Sequence, residues 1–159
     1  MIELCIADLS NPDHRAALVN LLNDYANDPM GGRAALAPAV KQHLVAELAK
    51  RPWVRTVLAF VDGVPAGLAI TMEGFSTFAC KPLLNIHDLA VSPAYRGRGL
   101  SIQLLAQVEI LARELGCCKI TLEVLEGNKP AQASYRSFGF AGYELEPAMG
   151  KAMFWQKSL

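Results

Sequence analysis

Val91-Ser92-Pro93-Ala94-Tyr95-Arg96-Gly97-Arg98-Gly99-Leu100-Ser101 separates an apolar run, Leu83 to Val91, from a long stretch of helical periodicity. Leu100, Leu104, Val108, Leu111 and Leu115 fall on one stripe, as an amphipathic helix requires. The stretch therefore reads as a strand exit, a glycine turn and a helix N-terminus. That N-terminus presents N–H groups without intrahelical partners and about half a positive charge, which suits an anion. Gly97 and Gly99 let the backbone approach such an anion, and Arg96 and Arg98 add permanent charge. A tight turn carrying two solvated arginines is the other reading of the same residues. Two familiar phosphate loops do not fit. A dinucleotide fingerprint starting at Gly97 needs Gly or Ala where Ile102 stands, and no Gly-Lys-Ser/Thr follows four spacers after a glycine.

Working outward, Ile2 to Ala7 reads as a first or edge strand. Ser10, with Asp13 three residues on, reads as a capped helix start ahead of Leu18, Leu21, Leu22 and Tyr25, and Asp28-Pro-Met-Gly-Gly32 ends that helix. Ala39 to Lys50 is a second helix with Val40, Leu44, Val45 and Leu48 on its apolar face. Val54–Val61 and Val64–Met72 are two β-rich runs joined by Asp62-Gly63, the signature of a type I′ hairpin. Phe75 to Phe78 reads as an aromatic, polar loop. Beyond the long helix, closed by Gly116, Lys119 to Leu125 is a strand and Asn128 to Phe138 a short helix. Phe140–Leu145 and Lys151–Gln156 read as two last strands. The order β-α-α-β-β-β-α-β-α-β-β predicts an α/β or α+β domain with a mixed sheet and helices on both faces.

The whole chain, 159 residues, is long enough for one domain, residues 1–159, without a metal or disulfide to hold its core. Hydrophobic residues make up 52% and charged residues 19%, which excludes disorder and favours a well-covered core. Fifteen Lys and Arg balance fifteen Asp and Glu, so no global field recruits nucleic acid or an anionic membrane. Cys5, Cys80, Cys117 and Cys118 form no CxxC pair and lack histidines at metal spacing. We expect them to be reduced and mostly buried, and expect no metal. The N-terminus lacks a basic region followed by an apolar one, and no apolar run approaches the roughly 18 residues of a span. These features predict a cytoplasmic protein.

The glycine turn and its surroundings resemble the GNAT N-acetyltransferase superfamily. Its pyrophosphate signature, Arg/Gln-x-x-Gly-x-Gly/Ala, is met by Arg96-x-x-Gly99-x-Ser101, with serine departing at the last position. Serine is small and keeps its N–H, so a modest loosening of the loop is expected. Ile86-His-Asp-Leu-Ala-Val91 resembles the family's fourth strand. Asn128-x-x-Ala131-x-x-x-Tyr135-x-x-x-Gly139-Phe140 matches the family's run residue for residue. The resemblance implies a GNAT-type fold, acetyl-CoA as co-substrate, direct transfer of acetyl to an amine, and a homodimer, for which the apolar composition leaves room.

It also implies roles by residue. Leu89, Ala90 and Val91 offer backbone groups to the pantetheine arm and thioester carbonyl, where the family's strand bulges, with Leu89 assigned to catalysis. Arg96, Gly97, Arg98, Gly99, Leu100 and Ser101 hold the pyrophosphate. Tyr135 stands where family members place the acid that protonates the leaving thiolate, although a packed tyrosine is its plainer role. Asn128 either bonds pantetheine or caps a helix. His87 replaces the glutamate that relays the amine proton in diamine acetyltransferases. It is either the base or a hydrogen-bonded strand histidine, and a polyamine acceptor becomes doubtful without the negative charge. Asp88 pairs with a substrate ammonium or makes a structural hydrogen bond. The amine's wall is expected from Tyr25, Asp28, Met30, Glu73, Phe75, Ser76, Thr77 and Phe78, where aromatics serve equally as core or dimer surface. Acetylation of a protein N-terminus or lysine, and a non-catalytic acyl-CoA-binding module, are the alternatives.

Overall fold

The alternation of Val54–Val61 and Val64–Met72 builds the centre of the sheet. In the computed structural model, which describes residues 1–159, β2 (Val54–Val61) and β3 (Val64–Ser76) form an antiparallel hairpin. Asp62 and Gly63 both have positive φ, 50° and 78°, as the type I′ turn demands. β1 (Ile2–Ile6) pairs with β2, and β4 (Lys81–Val91) with β3, both antiparallel. β5 (Ile120–Leu122) joins β4 in parallel, giving the order β1-β2-β3-β4-β5. A parallel neighbour needs a crossover, and α3 (Leu100–Glu114) supplies it.

Strand alternation assigns the two faces. Leu58, Leu68 and Ile70 pack with Ala17, Leu18 and Leu21 of α1 (Pro12–Asn27). A Cβ on Gly67, the neighbour of Leu68, would instead meet Leu100 and Leu104 of α3. One face is therefore covered by α1 and the other by α3. Leu100, Leu104, Val108 and Leu111 of the α3 stripe are all buried. Truncating one such leucine costs about 2–5 kcal/mol. α2 (Pro38–Ala49) buries no residue, and Leu44 and Leu48 pack only partly against the α1 cluster.

Several expectations need correction. The first helix is capped by Asn11, whose side chain accepts from the Asp13 N–H at 2.8 Å, while Ser10 turns back to Asp8. Proline at position 12 sets the helical φ, so the cap falls on the residue before it. Phe75 and Ser76 extend β3, leaving a tight hairpin to β4. Cys80 and Cys118 are exposed, although all four thiols are free.

Residues 1–122 and residues 123–159 form two compact units. The second holds α4 (Lys129–Ser137), whose N-cap Asn128 accepts from the Ala131 N–H at 3.3 Å. The two last strands expected here are reduced to a single antiparallel bridge, Glu144 to Lys151, around a 3₁₀ turn at Pro147–Met149. Pro147 and Gly150 lie between the two expected strands, and the segments either side of them pair at Glu144 and Lys151.

Candidate active site

The apolar positions of β4 change phase in mid-strand: Leu84 and Ile86 lie on even positions, Leu89 and Val91 on odd ones. An extra residue between them reconciles the two. Thr71 pairs with Ile86 and Ile70 with Asp88, so His87 is the unpaired residue of a β-bulge. Ile86, Leu89 and Val91 therefore all share the α3 face, opposite Thr71, Ala69 and Gly67. Asp88, opposite Ile70, is brought to the α1 face. His87 is exposed at the bulge.

β5 pairs only with Leu84, Asn85 and Ile86. From the bulge to Val91, β4 has β3 on one side and no strand on the other. Leu89, Ala90 and Val91, the backbone expected to meet the thioester, occupy this one-sided stretch, half-buried as side chains. The bulge itself sits at His87, two residues before Leu89.

A 3₁₀ turn, Pro93–Tyr95, leads from the strand into the glycine turn. Gly97 and Gly99 have φ of 74° and 76°, a left-handed backbone that disfavours any side chain, and open space lies where their Cβ atoms would be. Gly99 is the N-cap of α3 and has no side chain to cap it. The first turn thus keeps the anion-binding character that a serine or aspartate cap would have reduced. Leu100 is buried beneath the turn and anchors it, and Ser101 follows in the first helical turn. These residues fit the pyrophosphate of acetyl-CoA: bare backbone, an uncapped helix start and two arginines. The arginines differ in role. The Arg98 guanidinium lies 5.6 Å from the Tyr95 ring centre, whereas Arg96 is tied into the fold. Its Nε donates to the Val91 carbonyl at 3.0 Å, and a terminal nitrogen donates to Asp28 Oδ2 at 2.8 Å.

The expected wall residues divide into two groups. Tyr25, Asp28 and Asp88 come together: burial, then Asp88 and Asp28, raise the phenol pKa of Tyr25. Burial pushes the Asp88 carboxyl up, and His87 beside it opposes the shift. Asp28 is held below the usual carboxylate range by the Met30 N–H and the Arg96 guanidinium. Met30 follows in the same turn, donating to Asp28 Oδ1 at 2.9 Å. Glu73 lies with Thr71 on the α3 face and pairs with Arg55 at 3.1 Å. Phe75, opposite Pro82, stands five residues beyond Ile70, roughly 17 Å along the strand at 3.4 Å per residue. Ser76, Thr77 and Phe78 belong to that same hairpin end, and Phe78 is fully exposed. Tyr135 is half-buried in α4, edge-on to Phe140 with ring centres 6.0 Å apart.

One partnership escaped sequence reasoning, and the expected bulge falls two residues before Leu89. Arg96 and Asp28 are 68 positions apart, and no local pattern links them. The bulge did leave a signal, the phase change across His87-Asp88.

The acetyltransferase (GNAT) family model matches residues 16–140. Streptothricin acetyltransferase of Streptomyces lavendulae is 38% identical over 96 residues, which cover 60% of this chain and about half (49%) of that protein. Thialysine N-epsilon-acetyltransferase of Caenorhabditis elegans is 28% identical over 124 residues, covering 78% of this chain and 75% of that one. Among solved structures, AAC(6')-Iy in complex with the bisubstrate analogue CoA-S-monomethyl-acetylneamine superposes with a TM-score of 0.76 at 19% identity, covering 100% of this chain and 99% of that one. The α3 crossover, the one-sided end of β4 and the match across 16–140 agree, and this chain belongs to the acetyltransferase (GNAT) family, whose members take their acetyl group from acetyl-CoA.

Proposed function

We propose that the chain transfers acetyl from acetyl-CoA to the primary amine of a small molecule by direct attack, within one domain spanning residues 1–159. The bulge at His87 carries this reading. It stands where the pairing with β5 ends, ahead of a one-sided strand edge for the thioester, and brings Asp88 to the α1 face with Tyr25 for a cation. The family match runs across residues 122 and 123, which supports one functional domain. The names of two relatives, acting on streptothricin and on thialysine, support a small-molecule acceptor.

The chemistry makes three demands. A free alkylamine has a pKa of roughly 10.4 and must lose a proton before it attacks. His87, exposed at the bulge, accepts that proton directly or through water. The amine nitrogen then bonds to the acetyl carbon, and the resulting oxyanion takes a hydrogen bond from the Leu89 backbone. The carbon–sulfur bond breaks as the tetrahedral carbon collapses, and Tyr135 donates its proton to the departing thiolate. Asp88 receives the ammonium of the acceptor before deprotonation, or a second cation on the same molecule. Leu89, Ala90 and Val91 hold the pantetheine with Asn128, whose side-chain oxygen caps α4. Arg96 to Ser101 hold the pyrophosphate.

CoA-thiol release from acetyl-CoA is the test, run against polyamines, amino acids, aminoglycosides, arylamines and short peptides. Release with a small amine is expected. Release with peptides alone replaces this reading with protein acetylation. Stabilisation by acetyl-CoA with no release from any acceptor replaces it with an acyl-CoA-binding module. We read the protein further as a cytoplasmic homodimer, supported by four unbridged cysteines and by the exposed Phe75 and Phe78. Sedimentation as a monomer overturns the dimer. No helix is long and apolar enough to cross a membrane.

A further inference from the structure

We propose that the Asp28–Arg96 ion pair makes Asp28 a positioning residue for the acetyl-CoA loop and couples that loop to the turn between α1 and α2. The coupling rests on the donor-site reading above. Arg96 is held at two points, by the Val91 carbonyl at 3.0 Å and by Asp28 Oδ2 at 2.8 Å. A guanidinium has five N–H donors, so others remain for an incoming phosphate oxygen. A half-exposed arginine held at two points has already lost its rotamer freedom, and the ligand meets an ordered group.

Asp28 is also the centre of its own turn. As the C-cap of α1, it accepts the Met30 N–H on Oδ1 at 2.9 Å. Its carbonyl accepts from Gly31 at 2.8 Å and Arg33 at 3.2 Å. Gly31 packs so tightly on α1 that a Cβ there would lie 1.8 Å from the Tyr25 carbonyl oxygen. The carboxylate that orients Arg96 thus organises residues 28–33, against the helix end that carries Tyr25. A phosphate bound at Arg96 stabilises the arrangement in which Asp28 is engaged, and therefore stabilises the turn. Thermodynamic linkage requires the reverse effect of equal size.

Asp28→Asn separates the two roles of the residue. Asparagine keeps a side-chain oxygen for the Met30 N–H and loses the charge for Arg96. The experiment uses the full chain with CoA as the probe. It measures affinity by calorimetry, and amide hydrogen exchange at Met30, Gly31 and Arg33 with and without CoA. Wild type, Asp28→Asn, Arg96→Gln and the double variant are compared. CoA is expected to slow exchange at the turn in the wild type. Asp28→Asn is expected to bind CoA about fivefold more weakly, the upper range for a partly exposed ion pair, and to lose the protection. In the Arg96→Gln background the Asp28 change should add nothing. Protection that persists in Asp28→Asn, or an equal affinity loss in both backgrounds, overturns the coupling and leaves Asp28 a helix cap. Arg96→Gln alone reports the same loss of protection should Asp28→Asn not fold. CoA binding without protection in the wild type overturns the coupling alone; a wild-type chain that binds no CoA overturns the donor site with it.

Discussion

The candidate donor loop and the candidate acceptor wall are assembled in opposite ways. The donor loop, Val91 to Ser101, is one continuous stretch whose chemistry is largely backbone: positive φ at Gly97 and Gly99, and an uncapped helix start at Leu100. The acceptor wall draws side chains from α1 and β4, and its membership depends on which face of the sheet each side chain takes. Glu73 and Asp88 make the contrast sharp. Both are acidic and lie in adjacent strands, yet Glu73 shares the α3 face and an ion pair with Arg55, while Asp88 shares the α1 face with Tyr25 nearby. A single bulged residue, His87, is what separates Asp88 from the face of Ile86. Backbone chemistry in a continuous loop survives small shifts of register; a side-chain site on a strand does not.

The largest effect should come from breaking the donor loop. Gly99→Glu forces a side chain into a left-handed backbone and sets a carboxylate against the pyrophosphate. It should weaken acetyl-CoA binding about a thousandfold, roughly 4 kcal/mol. Calorimetry showing undiminished affinity would remove the pyrophosphate assignment. Tyr135→Phe is next, with turnover expected to fall about a hundredfold as a general acid is lost, while acetyl-CoA affinity stays nearly constant. Equal loss of both, in steady-state kinetics and binding, recasts Tyr135 as a packing residue against Phe140.

The comparison between the two carboxylates yields smaller effects. Asp88→Asn should raise the acceptor KM about tenfold, the worth of one charged hydrogen bond. It should also raise the Tm at neutral pH, because burial raises this carboxyl's folded pKa. Between the unfolded value, about 3.9, and the raised folded value, the native state binds the proton more tightly, so stability falls as pH rises through that window. Asparagine has no charge to desolvate. A lower Tm together with an unchanged KM would make Asp88 a structural residue. Glu73→Gln should change the acceptor KM by no more than about twofold and cost about 0.5 kcal/mol of stability, as for a partly exposed ion pair. A KM effect matching that of Asp88→Asn would give Glu73 the acceptor role that the resemblance implies.

Much of the fold was legible because its signals are local. The Asp62-Gly63 turn, the α3 stripe and the helix-closing Gly116, at φ 69°, each rest on residues a few positions apart. Asn128 likewise caps α4, one of the two roles its place in the sequence allows. The misreadings also have local causes. Ser10 and Asn11 are both good caps, and only the proline after Asn11 decides between them. Residues 140–145 and 151–156 read as two strands where a single bridge forms, since a strand-like segment does not by itself supply its partner.

By itself, the sequence determined the mixed sheet, the crossover helix and the glycine turn with its family signature, because backbone conformation and helical periodicity answer to neighbours in the chain. Tertiary structure alone decided that Arg96 meets Asp28 across 68 positions, that Glu73 is paired away on the α3 face, and that Asp88 joins Tyr25 on the other. Those outcomes depend on strand register and on packing between distant elements, where one inserted residue moves a charge from one side of the sheet to the other.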